Sequence, residues 1–154
     1  MSSALTPFEI QSAGLGDLAA LAALERTCFS EDAWPLLDLV AALTFPGMIR
    51  LKAVVDGRMV GFVGGDPHPG EGFGWITTIG VQPEFRGRGI GAALLAACEN
   101  AMAVPRVRLC VRRDNQSAIM LYEREGYQRT GVWQKYYNGG EDALVYEKSL
   151  SQSW

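Results

Sequence analysis

Apolar Ile49, Leu51, Ala53 and Val55 alternate with Arg50, Lys52 and Asp56, the period of two expected of a strand buried on one face. Asp56-Gly57 then predicts a tight hairpin turn into a second strand over Met59 to Gly65. Leu18, Leu21, Leu24 and Cys28 recur every three or four residues instead, which predicts a helix ending near Phe29. Ser30 to Pro35 breaks it, and Leu36 to Leu43 predicts a second short helix closed by Pro46 and Gly47. Phe8 to Ser12 alternates briefly as a first strand, and Asp66 to Gly72 reads as a flexible loop leading into a strand at Phe73.

Further along, Trp75 to Val81 is a β-branched run that predicts a buried strand. Ile90, Ala93, Leu94, Ala97 and Ala101 return to helical spacing as far as about Met102. Arg106 to Val111 is a strand with Val107, Leu109 and Val111 on one face. Asp114 or Asn115 starts a helix that Gly126 ends. Tyr127 to Tyr137 and Asp142 to Leu150 read as a hairpin closed through Asn138-Gly139-Gly140, with Ser151 to Trp154 a frayed end. The order β-α-α-β-β-β-α-β-α-β-β predicts an α/β (α+β) fold, a mixed, largely antiparallel sheet of about seven strands with helices on both faces.

At 154 residues and 48% hydrophobic, the chain suits one domain with a real core, over about 8–150. A net charge of −3 gives no field that would draw it to nucleic acid or to an acidic membrane, and no apolar run reaches membrane-spanning length. Cys28, Cys98 and Cys110 are widely spaced, and His68 is the lone histidine, so neither a disulfide framework nor a metal site is expected. Met1 to Ala13 lacks the basic start and apolar core of a signal peptide, and the expected home is the cytoplasm.

The chemistry concentrates between the Trp75 strand and the helix at Ile90. Gly87, Gly89 and Gly91 clear side chains from backbone N–H groups, the helix start adds unpaired donors, and Arg86 and Arg88 add charge. That combination makes a nest for phosphate. Gly87-x-Gly89-x-x-Ala92 formally matches a dinucleotide fingerprint, but Gln82 to Arg86 separate it from the strand end and no acid follows at the expected distance.

Arg86-x-x-Gly89-x-Gly91, followed downstream by Asn115-x-x-Ala118-x-x-Leu121-Tyr122-x-x-x-Gly126-Tyr127, resembles the two defining motifs of the GNAT acetyltransferase superfamily. The resemblance spans roughly Phe8 to Leu150, and the segments around Cys110, Tyr122 and Tyr136 resemble the ribosomal-protein alanine N-acetyltransferase branch, which acetylates protein N-termini. It implies acetyl-CoA as donor, with the pyrophosphate on the backbone of Arg86, Gly87, Arg88, Gly89, Ile90 and Gly91 and the pantetheine arm along Ile79 to Val81. Backbone N–H groups there would face the acetyl oxygen, and the Arg106 strand would splay away to admit the arm. Asn115 would hold the arm, with helix capping as its rival role. Tyr122 would be the general acid, against a plain core role on its helix stripe. Phe29, Trp34, Trp75, Tyr136 and Tyr137 would line the acceptor side; for Phe29 and Trp34 plugging the gap between the two helices is a slightly better explanation, and for Tyr136 and Tyr137 a hairpin cross-strand pair is an equally good one.

The base is where the sequence departs from that branch. Relatives carry Glu or His where Cys110 stands, or Tyr where Trp75 stands, and neither replacement is an ordinary base. A covalent route through Cys110 is the weaker alternative to inert packing. Without a side-chain base the acceptor's own pKa decides: neutralising an α-amine of pKa about 8 at pH 7 needs about 1.4 kcal/mol, whereas a lysine near 10.4 needs about 4.6. That favours an N-terminal amine, or another weakly basic amine, over lysine, and with the resemblance it makes a protein or peptide N-terminus the expected acceptor. The alternatives are a small-molecule amine of polyamine or amino-sugar type, and a non-catalytic acyl-CoA-binding regulatory module.

Overall fold

A computed structural model describes residues 7–29 and 32–150. The elements follow the predicted order: β1 (Glu9–Ser12), α1 (Leu18–Phe29), α2 (Leu36–Thr44), β2 (Ile49–Val55), β3 (Arg58–His68), β4 (Phe73–Val81), α3 (Ile90–Met102), β5 (Arg106–Arg112), α4 (Gln116–Arg124), β6 (Gln128–Trp133) and β7 (Ala143–Ser149). The strands form one sheet in the order β1-β2-β3-β4-β5-β7-β6. Every neighbouring pair is antiparallel except β4 with β5.

Strand alternation, reset in β3 where Val60 is an extra residue between Met59 paired with Val54 and Gly61 paired with Ala53, sorts the side chains onto two faces. Val63, Ile76, Val107 and Leu109 meet Ile90, Leu94, Cys98 and Ile119 of α3 and α4, while Met59 and Phe62 meet Leu21, Leu24, Leu39 and Leu43 of α1 and α2. α3 lies so close to the sheet that a Cβ on Gly65 would sit 2.6 Å from the Cys98 sulfur. The Asp56-Gly57 turn forms as predicted, both residues having positive φ and Val55 pairing with Arg58.

Three expectations need correction. Asp66, Pro67 and His68 are not loop but the end of β3, paired with Trp75, Gly74 and Phe73. β2 stops pairing at Gly65, so a proline beyond it interrupts no ladder on that side. Only Pro69–Glu71 turns, closed by Gly72 at φ 79. The last hairpin is looser than predicted: residues 134–142 lie outside both strands, with Lys135, Gly139 and Gly140 at positive φ, so Tyr136 and Tyr137 are not a cross-strand pair. The Trp75 to Val81 run is half-buried rather than buried, because it walls an open cleft. Ser30 and Glu31 of the predicted helix break, and the expected frayed end at Ser151 to Trp154, lie outside the described residues.

Candidate active site

β4 and β5 pair only at Gly74 with Val107 and at Trp75 with Arg108. Beyond that point the strands diverge, and a cleft of about 1100 Å³ opens between Ile76–Val81 and Leu109–Arg112. Thr77 sits at the opening as an extra residue: Gly65 pairs with Ile76 and Gly64 with Thr78, so Thr77 has no partner across the ladder. Such a bulge bends a strand and re-aims its side chains. β5 thus releases the edge of β4, as the family resemblance implied it would.

At one end of the cleft the chain leaves β4, makes a short turn at Pro83–Phe85, and enters α3. Gly87 and Gly89 have φ of 76° and 83°, and a Cβ on either would meet nothing within 4 Å. Backbone conformation, not packing, demands glycine there, and the backbone stays uncovered. The first bond into the helix runs from Ala93 N–H to Gly89 O (3.0 Å), so the N–H groups of Ile90, Gly91 and Ala92 have no helical acceptor. With the positive end of the helix dipole behind them they form an anion cradle. A pyrophosphate fits it.

The two arginines play different parts. Arg86 folds back, donating from Nε to Val81 O at 2.9 Å and from its terminal nitrogen to the Cys28 sulfur at 3.6 Å, which ties the loop to β4 and α1. Arg88 lies over the Phe85 ring at 5.1 Å and is not on the cleft wall.

α4 supplies the floor. Asn115 caps it, its Oδ1 accepting from Ala118 N–H at 3.2 Å, so the rival role is realised and the side-chain NH2 is what remains for the cleft. Tyr122, two turns on, lines the cleft with only 5% of its surface exposed. Burial pushes its phenol above the usual range, which keeps the proton on oxygen. Its ring packs edge-on against Tyr127, centroids 6.1 Å apart. Tyr127 in turn donates to Glu99 Oε2 at 2.7 Å, and Lys148 Nζ reaches the same carboxylate at 3.1 Å. Gly126, at φ 98, turns the chain so that Tyr127 N–H bonds Tyr122 O at 2.9 Å.

The opposite wall carries the groups expected on the acceptor side. Phe29, Trp34 and Tyr137 line the cleft, as does Cys110, whose thiol burial pushes up to about 11. A thiol of that kind is protonated at neutral pH and poor as a base or nucleophile. Arg112 Nη1 holds Asp32 Oδ2 at 2.6 Å and lies over the Tyr137 ring at 5.6 Å. Trp75 and Tyr136 are not on the wall. Trp75 lies where β4 and β5 are still paired, and a row of rings runs from it through Trp133 (5.9 Å) and Tyr136 (5.3 Å further) to Tyr137 (5.0 Å further).

The wall residues not singled out from the sequence include Glu25, Thr78, Asp32 and Thr77. Asp32 Oδ1 and Thr77 Oγ1 are buried without a hydrogen-bond partner, polar atoms left for whatever fills the cleft. Glu25 had a readable signal. It stands four residues after Leu21 and three before Cys28, a carboxylate at a core position of the α1 stripe.

A mixed sheet prised open between two parallel strands, with an anion cradle at the opening and a buried phenol on its floor, defines an N-acetyltransferase of the GNAT type. A model of the Acetyltransferase (GNAT) family matches residues 18–127, and the chain belongs to that family. It is 34% identical over 151 residues to the N-alpha-acetyltransferase RimI of Mycobacterium tuberculosis, covering 94% of each chain. It is 33% identical over 148 residues to the N-terminal acetyltransferase A complex catalytic subunit NAA10 of Arabidopsis thaliana, covering 92% of this chain and 77% of that one. The fold superposes on the crystal structure of the ribosomal-protein-S18-alanine N-acetyltransferase of Escherichia coli with a TM-score of 0.84 at 23% identity, over 96% of this chain and 97% of that one.

Proposed function

We propose that the chain transfers an acetyl group from acetyl-CoA to the α-amine of a protein or peptide N-terminus, by direct attack within a ternary complex. The observation that carries this is the cleft itself, which runs from the amide cradle at Gly87–Gly91 past Tyr122 to the aromatic wall at Phe29, Trp34 and Tyr137. The two similar sequences, both named for N-terminal or N-alpha acetylation, support the acceptor class.

In this reading the amides of Ile90, Gly91 and Ala92 hold the diphosphate and the freed edge of β4 aligns the arm that carries the thioester. Backbone N–H groups of Ile79 to Val81 stabilise the developing oxyanion. The amine nitrogen bonds to the acetyl carbon, the carbon–sulfur bond breaks, and Tyr122 donates its hydroxyl proton toward the departing sulfur. Cys110 shapes the wall and takes no covalent part, since its thiol stays protonated. A panel of short peptides and small amines, each offered with acetyl-CoA, tests the reading. Turnover on peptides with free α-amines and none after N-terminal blocking is expected; turnover on polyamines or amino sugars alone would refute the acceptor class.

A further inference from the structure

The proposed reaction leaves one proton without a destination. The ammonium formed when the amine attacks must lose it before the product can leave, and Cys110 cannot take it.

Glu25 lies at the α1 side of the same cleft with 3% of its surface exposed. Its Oε2 accepts from the Thr78 hydroxyl at 2.8 Å and its Oε1 accepts from Trp34 N–H at 3.3 Å. Both donors are neutral. No ion pair among the described residues includes Glu25, although a buried carboxylate ordinarily requires a cation. The other charged and titratable groups on the cleft walls are Cys28 on its own helix, Arg86 bonded to Cys28, the Asp32 and Arg112 pair, the Cys110 thiol, the phenols of Tyr122 and Tyr137, and, along α4 and its start, Asp114, Arg124 and Glu125. Thr78 lines the cleft one residue before the Ile79 to Val81 edge. Because its hydroxyl hydrogen is given to Glu25, the lone pairs on Oγ1 remain to accept from an amine.

We propose that Glu25 is the proton acceptor of the reaction, receiving the proton through the Thr78 hydroxyl. This deepens the reading above and rests on it. As the carbon–nitrogen bond forms, the ammonium N–H passes its proton to Thr78 Oγ1, and Thr78 passes its own hydrogen to Glu25 Oε2. Sulfur gains a proton by way of Tyr122, so one proton leaves nitrogen and one reaches sulfur. Glu25 then releases its proton to solvent and Tyr122 recovers one from it. Burial raises the Glu25 carboxyl above its ordinary range, against the pull of its two hydrogen bonds, which brings it closer to the pH at which an acceptor works well.

The test is the pH dependence of kcat/KM in wild type, Glu25→Gln, Thr78→Val and the double variant, with acetyl-CoA affinity measured by calorimetry for each. Glutamine preserves the contact to Trp34 N–H and can donate to Thr78, so the pocket persists. The expected loss is about 100-fold or more in kcat/KM for each single variant, with acetyl-CoA affinity unchanged. The double variant should be no worse than the singles, because the two groups act as one relay. In wild type, log kcat/KM should steepen from a slope of one, set by the amine, to two below the Glu25 pKa. In Glu25→Gln it should stay at one. A slope that still reaches two, a rate within about threefold of wild type, or a loss of rate matched by a loss of acetyl-CoA affinity would overturn the proposal. Turnover confined to small amines would refute only the acceptor class, and the same profiles run on those amines would still decide the role of Glu25.

Discussion

Tyr122 and Tyr127 stand 6.1 Å apart, one on the cleft floor and one behind it, and removing either hydroxyl should have opposite consequences. Tyr127→Phe deletes a buried donor to Glu99 Oε2 at 2.7 Å. Glu99 is 7% exposed, so water cannot replace that bond, although Lys148 still reaches both carboxylate oxygens at 3.1 and 3.3 Å. Hydrogen bonds to charged groups contribute about 1.5–3 kcal/mol, and the surviving ion pair places this one near the middle, at about 2 kcal/mol. For a chain of this length that is a drop of roughly 4–8 °C in Tm. The phenyl ring still backs Tyr122, so kcat should stay within about twofold of wild type. Tyr122→Phe deletes a hydroxyl that none of the hydrogen bonds between described residues uses, so Tm should move by no more than about 2 °C. Its kcat should fall by about 100-fold or more. Thermal melts and steady-state kinetics on the two variants decide the matter. A Tyr127→Phe protein as stable as wild type would refute the account of Glu99, and a Tyr122→Phe protein of undiminished rate would remove the acid.

Cys110→Ser should retain kcat within about fivefold across pH 6–9, since a thiol pushed up to about 11 supplies neither base nor nucleophile; a loss of 100-fold or more in the rate assay would restore the covalent route. Gly89→Ala places a side chain in open space but at φ 83°, so its cost is conformational, about 1–2 kcal/mol. If the cradle holds the diphosphate, calorimetry should show acetyl-CoA binding about tenfold weaker, and an unchanged Kd would argue against the loop. For Glu25→Gln, stability and activity should part company. A carboxyl whose pKa is raised on folding stabilises the fold fully below its unfolded pKa and loses that contribution as pH rises through the folded value, so wild type pays for the charge at pH 8. The glutamine variant should therefore match or exceed wild type in Tm at pH 8 and lose that advantage near pH 4; a lower Tm at pH 8 would contradict the sign.

Where one physical cause dominates, the sequence was legible. Period-two alternation located β2, the Asp56-Gly57 signal located its turn, and helical spacing ended α1 and α3 at Phe29 and Met102, where the structure ends them. Composition misled where context outweighed it. Pro67 suggested a loop, yet it lies in β3 beyond the reach of β2, where a missing N–H harms no ladder. Asn138-Gly139-Gly140 suggested a tight hairpin, but Lys135 also turns the chain, and the wider connection carries Tyr137 to the cleft while Tyr136 stays 56% exposed.

The site was half legible for a related reason. Its cofactor end is built from backbone, and a backbone that needs φ above zero leaves glycines in the sequence. Its proton-handling end is built from side chains that meet only after the sheet has formed: Glu25 of α1 and Thr78 of β4 are 53 residues apart and share one hydrogen bond. Glu25 announces itself only as an error in a hydrophobic stripe, a charge at a helix position where burial should exclude it. Natural folds break a local rule at sites of function more readily than elsewhere, because a buried charge destabilises the fold and persists only when something else requires it. Cys110 is the complementary case. A residue type rich in chemistry is held there in surroundings that silence it, so the strand position that a comparison of motifs points to and the carboxylate that the folded chain can use are different places in the cleft.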